Sequence, residues 1–319
     1  MTLKKLIALL LMVVMVALVG CASDKKEANS AAFTFTDMTS REIKLDGPVT
    51  RIVALTPSDC EILYAIGAGD AVVGRSTYCD YPGDVLNKTE VASGADTNIE
   101  EIIALEPQVV LMSTMAQTEE QVAVLEEAGI TCVVSETRNI SGVYTAIEMI
   151  GKVVGKETEA SALIEDMKAT FAKVEQKAKQ KAEQDPTGGG KTIYFEVSSL
   201  QWGDPWTAGK GTFMDELAMM LGLTNIFADV DGWGMISQEQ VIERNPAYIV
   251  TIEMYGGDGP KPDEEVMKRE GWQGITAIRN GTVLNADNNE MSRPGPRLIN
   301  AAVALYDFIY NADETNPLD

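Results

Sequence analysis

Two absences narrow the chemistry this chain can do. It has no histidine, so it lacks the commonest general base and transition-metal ligand, and any histidine-dependent triad or zinc site is excluded. Serine, cysteine and many carboxylates are present, but none falls in a spacing that pairs a nucleophile with its base or converges two acids. Asp258 and Asp263 in GGDGPKPDEE read as a solvated, turn-rich loop, and no CxxC pair occurs. The informative residues are aromatic. Trp202 and Trp206 in SLQWGDPWTAGKG, and Trp233 in DGWGM, lie among glycines and prolines in stretches read as loops. Indoles so placed can lid a core edge, or form a flat wall for a planar, largely apolar molecule held by few polar contacts.

A second pattern is written twice. NIEEIIALEPQVVLM (98–112) and SQEQVIERNPAYIVT (237–251) each place an acid two positions after a capping residue. An apolar pair follows, then a proline seven residues past the acid, then a strand-like run. Glu100 and Glu239 therefore fall in first helical turns, where the helix dipole favours a carboxylate that stays exposed. A formal charge of −22 leaves no broad basic face for nucleic acid.

The elements that must position these residues alternate. RIVAL, VVGRS, VVLM and ITCVVS read as strands, with CEILYAIGA, EEIIALE and EQVAVLEEAG as helices between them; Thr56-Pro57-Ser58-Asp59 supplies cap and first-turn chemistry to CEILYAIGA. Strand-helix alternation implies parallel sheets covered by helices, an α/β class. Residues 141–184 carry Leu163, Ile164, Met167, Phe171 and Val174 at helical spacing and read as one long amphipathic linker. Alternation resumes with KTIYFEV, FMDELAMMLG, AYIVTIE and a last helix from Pro294 to about Tyr310. The expected organisation is a signal peptide (1–20), a modified cysteine and tether (21–47), a first lobe (48–140), the linker (141–184) and a second lobe (190–312).

The start of the chain reads as a targeting segment: Lys4 and Lys5 precede a long apolar run that closes on LVGC. That ending resembles the lipobox of bacterial lipoproteins, which implies lipid attachment at Cys21, a membrane anchor, and a location outside the cytoplasmic membrane. Of the other cysteines, Cys132 reads as a core residue. Cys60 and Cys79 fall at loop ends that could meet, which leaves a bridge between them open.

RIVALTPSDCEILYAIGAGDAVVGRSTYCDYP, the two repeated stretches and SRPGPRLINA together resemble the substrate-binding proteins of iron-chelate and vitamin B12 ABC importers, over about residues 48–310. The resemblance implies two lobes joined by a helical backbone, a small-molecule ligand, no catalytic activity and no resident cofactor. It also implies a monomer whose Glu100 and Glu239 dock onto arginines of a dimeric permease. In open α/β sheets the ligand cleft lies beyond the carboxyl ends of the strands. That rule selects Tyr78 as a wall opposite Trp202, Trp206 and Trp233, with Asp287 and Arg293 at the rim; it also leaves both docking glutamates away from the strands' carboxyl ends. STYCDYP and the aromatic second lobe look closest to cobalamin-binding members. Gly94 stands where some of those have a tryptophan, so one wall must come from elsewhere. Haem through Tyr78, or a ferric siderophore through Arg75 and Arg293, is the alternative ligand class; an exported enzyme is the alternative function.

Overall fold

The chain enters its folded body through an antiparallel hairpin, β1 (Phe33–Thr36) and β2 (Glu42–Leu45), whose Ile43 and Leu45 are buried. Asp37 in its turn accepts hydrogen bonds from the Thr39 and Arg41 amides, each 3.0 Å long. Packed structure thus begins at Phe33, directly after the polar stretch ASDKKEANSAA. This computed structural model describes residues 32–310 apart from 95, 116, 185–190, 199, 201–202 and 253–260.

Five short strands form the parallel sheet of the first lobe, in the order β5-β4-β3-β6-β7. They are β3 (Ile52–Ala54), β4 (Val72–Ser76), β5 (Thr89–Val91), β6 (Val109–Met112) and β7 (Thr131–Val134). β3 and β6 are buried throughout, which is why they read as unbroken apolar runs. The helices of this lobe are α1 (Pro57–Ala65), α2 (Ile99–Ala104), α3 (Glu119–Glu127) and α4 (Ile140–Val154). Thr56 stands at the α1 N-cap without a capping side-chain bond, and Pro57 sits at the first turn, where its missing N–H costs nothing.

The second sheet is mixed. Its order is β11-β9-β8-β12-β13, with β10 also on β8. The strands are β8 (Thr192–Glu196), β9 (Trp206–Ala208), β10 (Thr224–Asn225), β11 (Trp233–Met235), β12 (Tyr248–Thr251) and β13 (Val283–Asn285). β12 is parallel to β8 and to β13, while β9 runs antiparallel to β8 and to β11. Trp206 and Trp233 thus begin strands. Their reading as loop residues is corrected: three-residue strands among glycines show no alternation long enough to recognise.

The linker reading also needs correction. Residues 141–184 are not one helix, because α4 ends at Gly155, whose φ of 67° is left-handed, and a new helix, α5 (Glu157–Gln184), begins beyond it. Lys156 N–H returns to the Gly151 carbonyl at 2.7 Å and closes the first helix. α4 packs on α1 and belongs to the first lobe, whereas α5 packs on α4, on α6 (Phe213–Met220) and on α11 (Leu298–Tyr310). The lobe-spanning backbone is α5. The last helix begins at Leu298, since Pro294-Gly295-Pro296 forms a turn rather than the expected first helical turn.

Between α6 and α11 lie α7 (Gln238–Arg244), α8 (Pro262–Lys268), α9 (Thr276–Asn280) and α10 (Asn288–Ser292). One apolar core runs through both lobes, from Ile52 and Leu111 through Ile147, Met167 and Phe171 to Ile193, Leu217 and Leu305. Each sheet also buries its far face separately, around Val110 and Leu125 in the first lobe and around Phe227 and Trp272 in the second.

Helices α4 and α5 cross so closely that a Cβ added at Gly151 would lie 2.5 Å from the Ala160 Cβ. Gly151→Leu is expected to lower unfolding stability by about 2–3 kcal/mol, measured by denaturant titration, because the backbones must separate to admit it. An unchanged midpoint would show that this crossing is not tight.

Candidate functional site

The two carboxyl sheet edges face one another, and an ion cluster holds them together. Arg293 and Arg297 come from the turn beyond β13 in the second lobe, Glu61 from α1, and Asp80 from the loop after β4 in the first. Glu61 is 3% exposed. It accepts hydrogen bonds from Arg293 Nη1 at 3.1 Å and from Arg297 Nε and Nη2 at 2.9 and 2.6 Å. Arg293 also donates to Asp80 Oδ1 at 2.5 Å and to the Tyr78 carbonyl at 3.1 Å. Burial pushes the Asp80 carboxyl up, but the Arg293 guanidinium outweighs it and holds the group below its ordinary value. Arg297 stacks over the Tyr81 ring at 4.1 Å. A Cβ added at Gly295 would touch Ser58 at 3.4 Å, so the turn that carries both arginines lies close against α1.

The cluster changes the reading of Arg293. Its guanidinium is taken up by the first lobe, and a ligand's rim group would have to compete with two carboxylates for it. Asp287 is engaged locally as the α10 N-cap, accepting the Glu290 amide at 3.0 Å. Arg75 likewise donates to Glu90 at 2.9 Å and to the Ser76 carbonyl. Sequence reasoning missed Glu61 and Arg297. Two arginines four residues apart in SRPGPR were visible, but their partners lie more than 200 positions away.

Two tyrosines border this latch, and the tryptophans lie at the other edge of the second sheet. Tyr78 is 58% exposed and Tyr81 46%, both on the loop at the carboxyl edge of the first sheet. In the second lobe β9 and β11 form a ribbon at the carboxyl end of β8, with Trp206 directly opposite Met235 and Trp233 opposite Ala208. Opposed residues of an antiparallel pair share a face, and residues two apart do as well. Trp206, Trp233 and Met235 therefore form one apolar surface, 45%, 38% and 62% exposed. Phe213 supports Trp233 from behind, with ring centroids 5.5 Å apart. Met235 was not singled out from sequence. Trp202 and Cys21 lie outside the described residues.

The repeated stretches adopt matching backbones. Asn98 and Ser237 cap α2 and α7 by accepting the Glu101 and Gln240 amides at 3.2 and 3.4 Å. Glu100 and Glu239, each second in its helix, are exposed, while Ile102 and Val241 two positions on are fully buried. Each device then closes with a left-handed residue before proline, Glu106 at φ 46° and Asn245 at φ 47°. Both helices are crossovers, from β5 to β6 and from β11 to β12, so both begin on the carboxyl side of their sheets. The expectation that the glutamates sit away from that edge is corrected. The two acids thus start helices on the carboxyl side of their sheets, one on each lobe.

Three buried groups lie under the first-lobe edge. The Ser135 hydroxyl donates to both Asp59 carboxylate oxygens, at 2.6 and 2.7 Å, yet burial dominates and pushes this carboxyl up to about 7. Cys60 and Cys79 are buried free thiols, and the neighbouring Cys79, with burial behind it, pushes Cys60 up. Among the described residues no group of three or more Cys, Asp or Glu converges as a metal site.

Asp59 sets a pH dependence of known sign. A carboxyl whose folded value lies above its unfolded one binds its proton more tightly when folded, so stability falls as pH rises from about 4 through about 7. Asp59→Asn should remove this slope and gain on the wild type by up to ~4 kcal/mol at pH 8 relative to pH 4. Thermal melts across that range check it; parallel curves for the two proteins would contradict the assignment.

Comparisons with known proteins identify the family. The periplasmic binding protein family model matches residues 52–290. An ABC transporter substrate-binding lipoprotein of Bacillus subtilis is 35% identical over 312 residues, covering 95% of each chain. A cobalamin-binding protein of Halobacterium salinarum is 27% identical, covering 91% of this chain and 77% of its own. A crystal structure of a possible iron-binding, periplasmic solute-binding protein from Staphylococcus epidermidis superposes with a TM-score of 0.68 at 32% identity, covering 82% of this chain and 99% of that one. Two α/β lobes on a helical backbone, facing carboxyl edges and a family match over most of the chain lead to one conclusion: the chain belongs to the periplasmic binding protein family and is a substrate-binding protein of an ABC importer.

Proposed function

We propose that this is an extracytoplasmic, lipid-anchored binding protein that delivers a corrinoid to its importer. One observation carries the choice of ligand. The exposed surface at the cleft is aromatic and apolar, while Arg75, Arg293 and Arg297 are all paired with carboxylates of the chain itself. A flat macrocycle with a rim of neutral amides matches such a surface, through wide apolar contact and few polar bonds. An anionic siderophore or the propionates of haem would need free cations, and a formal charge of −22 opposes their approach. The lipid anchor rests on the LVGC ending at Cys21 and on the lipoprotein name of the B. subtilis relative.

Docking is the second half of the proposal. Glu100 and Glu239 present equivalent carboxylates, one on each lobe, and hydrogen bonds from its own backbone N–H and from Ser237 hold Glu239 below its ordinary value. A permease dimer with one arginine per half would meet both at once. The shared core and the ion cluster keep the spacing of the two acids nearly fixed, so that recognition does not wait on a large closure.

Two measurements test these readings. Cyanocobalamin should quench the intrinsic fluorescence saturably, with the amplitude reduced in Trp206→Ala and in Trp233→Ala and the affinity lowered about tenfold or more. Binding of a ferric chelate or haem, with no response to any corrinoid, would transfer the assignment to that ligand. Charge reversal at Glu100 and Glu239 together should nearly abolish uptake in cells and leave soluble ligand binding unchanged; uptake at the wild-type rate would reduce the two stretches to well-capped helices.

A further inference from the structure

The acids of α2 and α7, taken alone, would be no more than favourable helix-start charges. Beside each stands a residue that needs another explanation. Ile103 and Ile242 are each three positions after the acid, on the same helical face, and are 37% and 40% exposed. Among the described residues they are the only exposed isoleucines. Scattered exposed aliphatics are ordinary. Here two recur at one position of a duplicated device, each with similar exposure, a buried apolar predecessor and a left-handed residue before proline. Helix propensity does not call for either, since an exposed interior helix position is better served by lysine or glutamate than by a β-branched residue.

We infer that Ile103 and Ile242 are apolar anchors of the docking surface, each seating beside the Glu100 or Glu239 ion pair in a hydrophobic recess of the importer's permease. This inference rests on the docking reading above and extends it from a pair of charges to a pair of mixed patches. The partner's chemistry follows from what lies around each isoleucine. Glu100 and Glu101 accompany Ile103, and Glu239 and Glu243 accompany Ile242, so the complementary surface is a cationic side chain bordered by apolar ones. The duplication across the two lobes calls for the same surface twice, as a two-fold symmetric dimer provides. An ion pair at an open rim contributes little affinity by itself, and an adjacent apolar contact that excludes water strengthens it.

The two contributions separate experimentally by salt. Full-chain variants would be titrated by surface plasmon resonance against the host importer in nanodiscs, the correct importer being the one that loses binding to the Glu100→Arg, Glu239→Arg double variant. Ile103→Asn and Ile242→Asn should each weaken binding roughly fivefold to tenfold and keep the wild-type salt dependence. The glutamate variants should flatten that dependence. Met219→Gln, at a still more exposed apolar site outside the device, should bind as the wild type does, and unchanged melting temperatures establish that the variants fold. If glutamate reversal abolishes binding while both isoleucine variants bind normally, the anchors are overturned and the docking reading stands. Binding that survives the double reversal with every importer of the host overturns both.

Discussion

A buried carboxylate with two guanidinium partners is the constraint on which the arrangement of the lobes depends. Glu61 lies in α1 with almost no solvent, and its charge is tolerable only because Arg293 and Arg297 reach it from the other lobe. Removing one partner of such a pair typically costs ~3–5 kcal/mol, since the remaining charge stays buried. Both arginines sit on one short turn between α10 and α11, whose glycine packs closely against Ser58. The latch therefore fixes the carboxyl edge of the second sheet against that of the first. The cleft exists because the fold places those edges face to face.

The same constraint explains why the molecule suits a partner that reads fixed positions. A single core passes from the first sheet through α4, α5, α6 and α11 to the second. Two polar contacts add to it: the Phe213 amide donates to the Arg138 carbonyl at 2.8 Å, and Glu216 accepts the Ile140 amide at 2.7 Å. Opening such a structure widely would expose apolar surface and strand charged groups. The duplicated helices α2 and α7 are held on its two halves, and both start on the carboxyl side of their sheets.

The chemistry of the cleft follows from what the charges are already doing. Arginines that would hold an anion are bound to carboxylates of the chain, and the uncommitted surface is indole, phenol and thioether. Trp206, Trp233 and Met235 share a face only because β9 and β11 pair antiparallel at the carboxyl end of β8. The second lobe's departure from a purely parallel sheet thus makes its binding surface.

Local patterns in the sequence were enough for the α/β class, the order of most helices and strands, and the repeated device. Caps, apolar periodicity and a proline at fixed offset are set by neighbours a few residues apart, and they survive whatever the rest of the chain does. The break at Gly155 was locally visible but masked, because apolar spacing continues in α5. The Trp206 and Trp233 ribbon was hidden because strands of three residues have too little alternation to be read. The latch had no local signature at all. Glu61 looks like any helical glutamate until Arg293 and Arg297, 232 and 236 residues later, are brought beside it. Which charges are paired across the lobes, and hence which remain for a ligand, is a property of contacts far apart in the chain, and only the tertiary structure decides it.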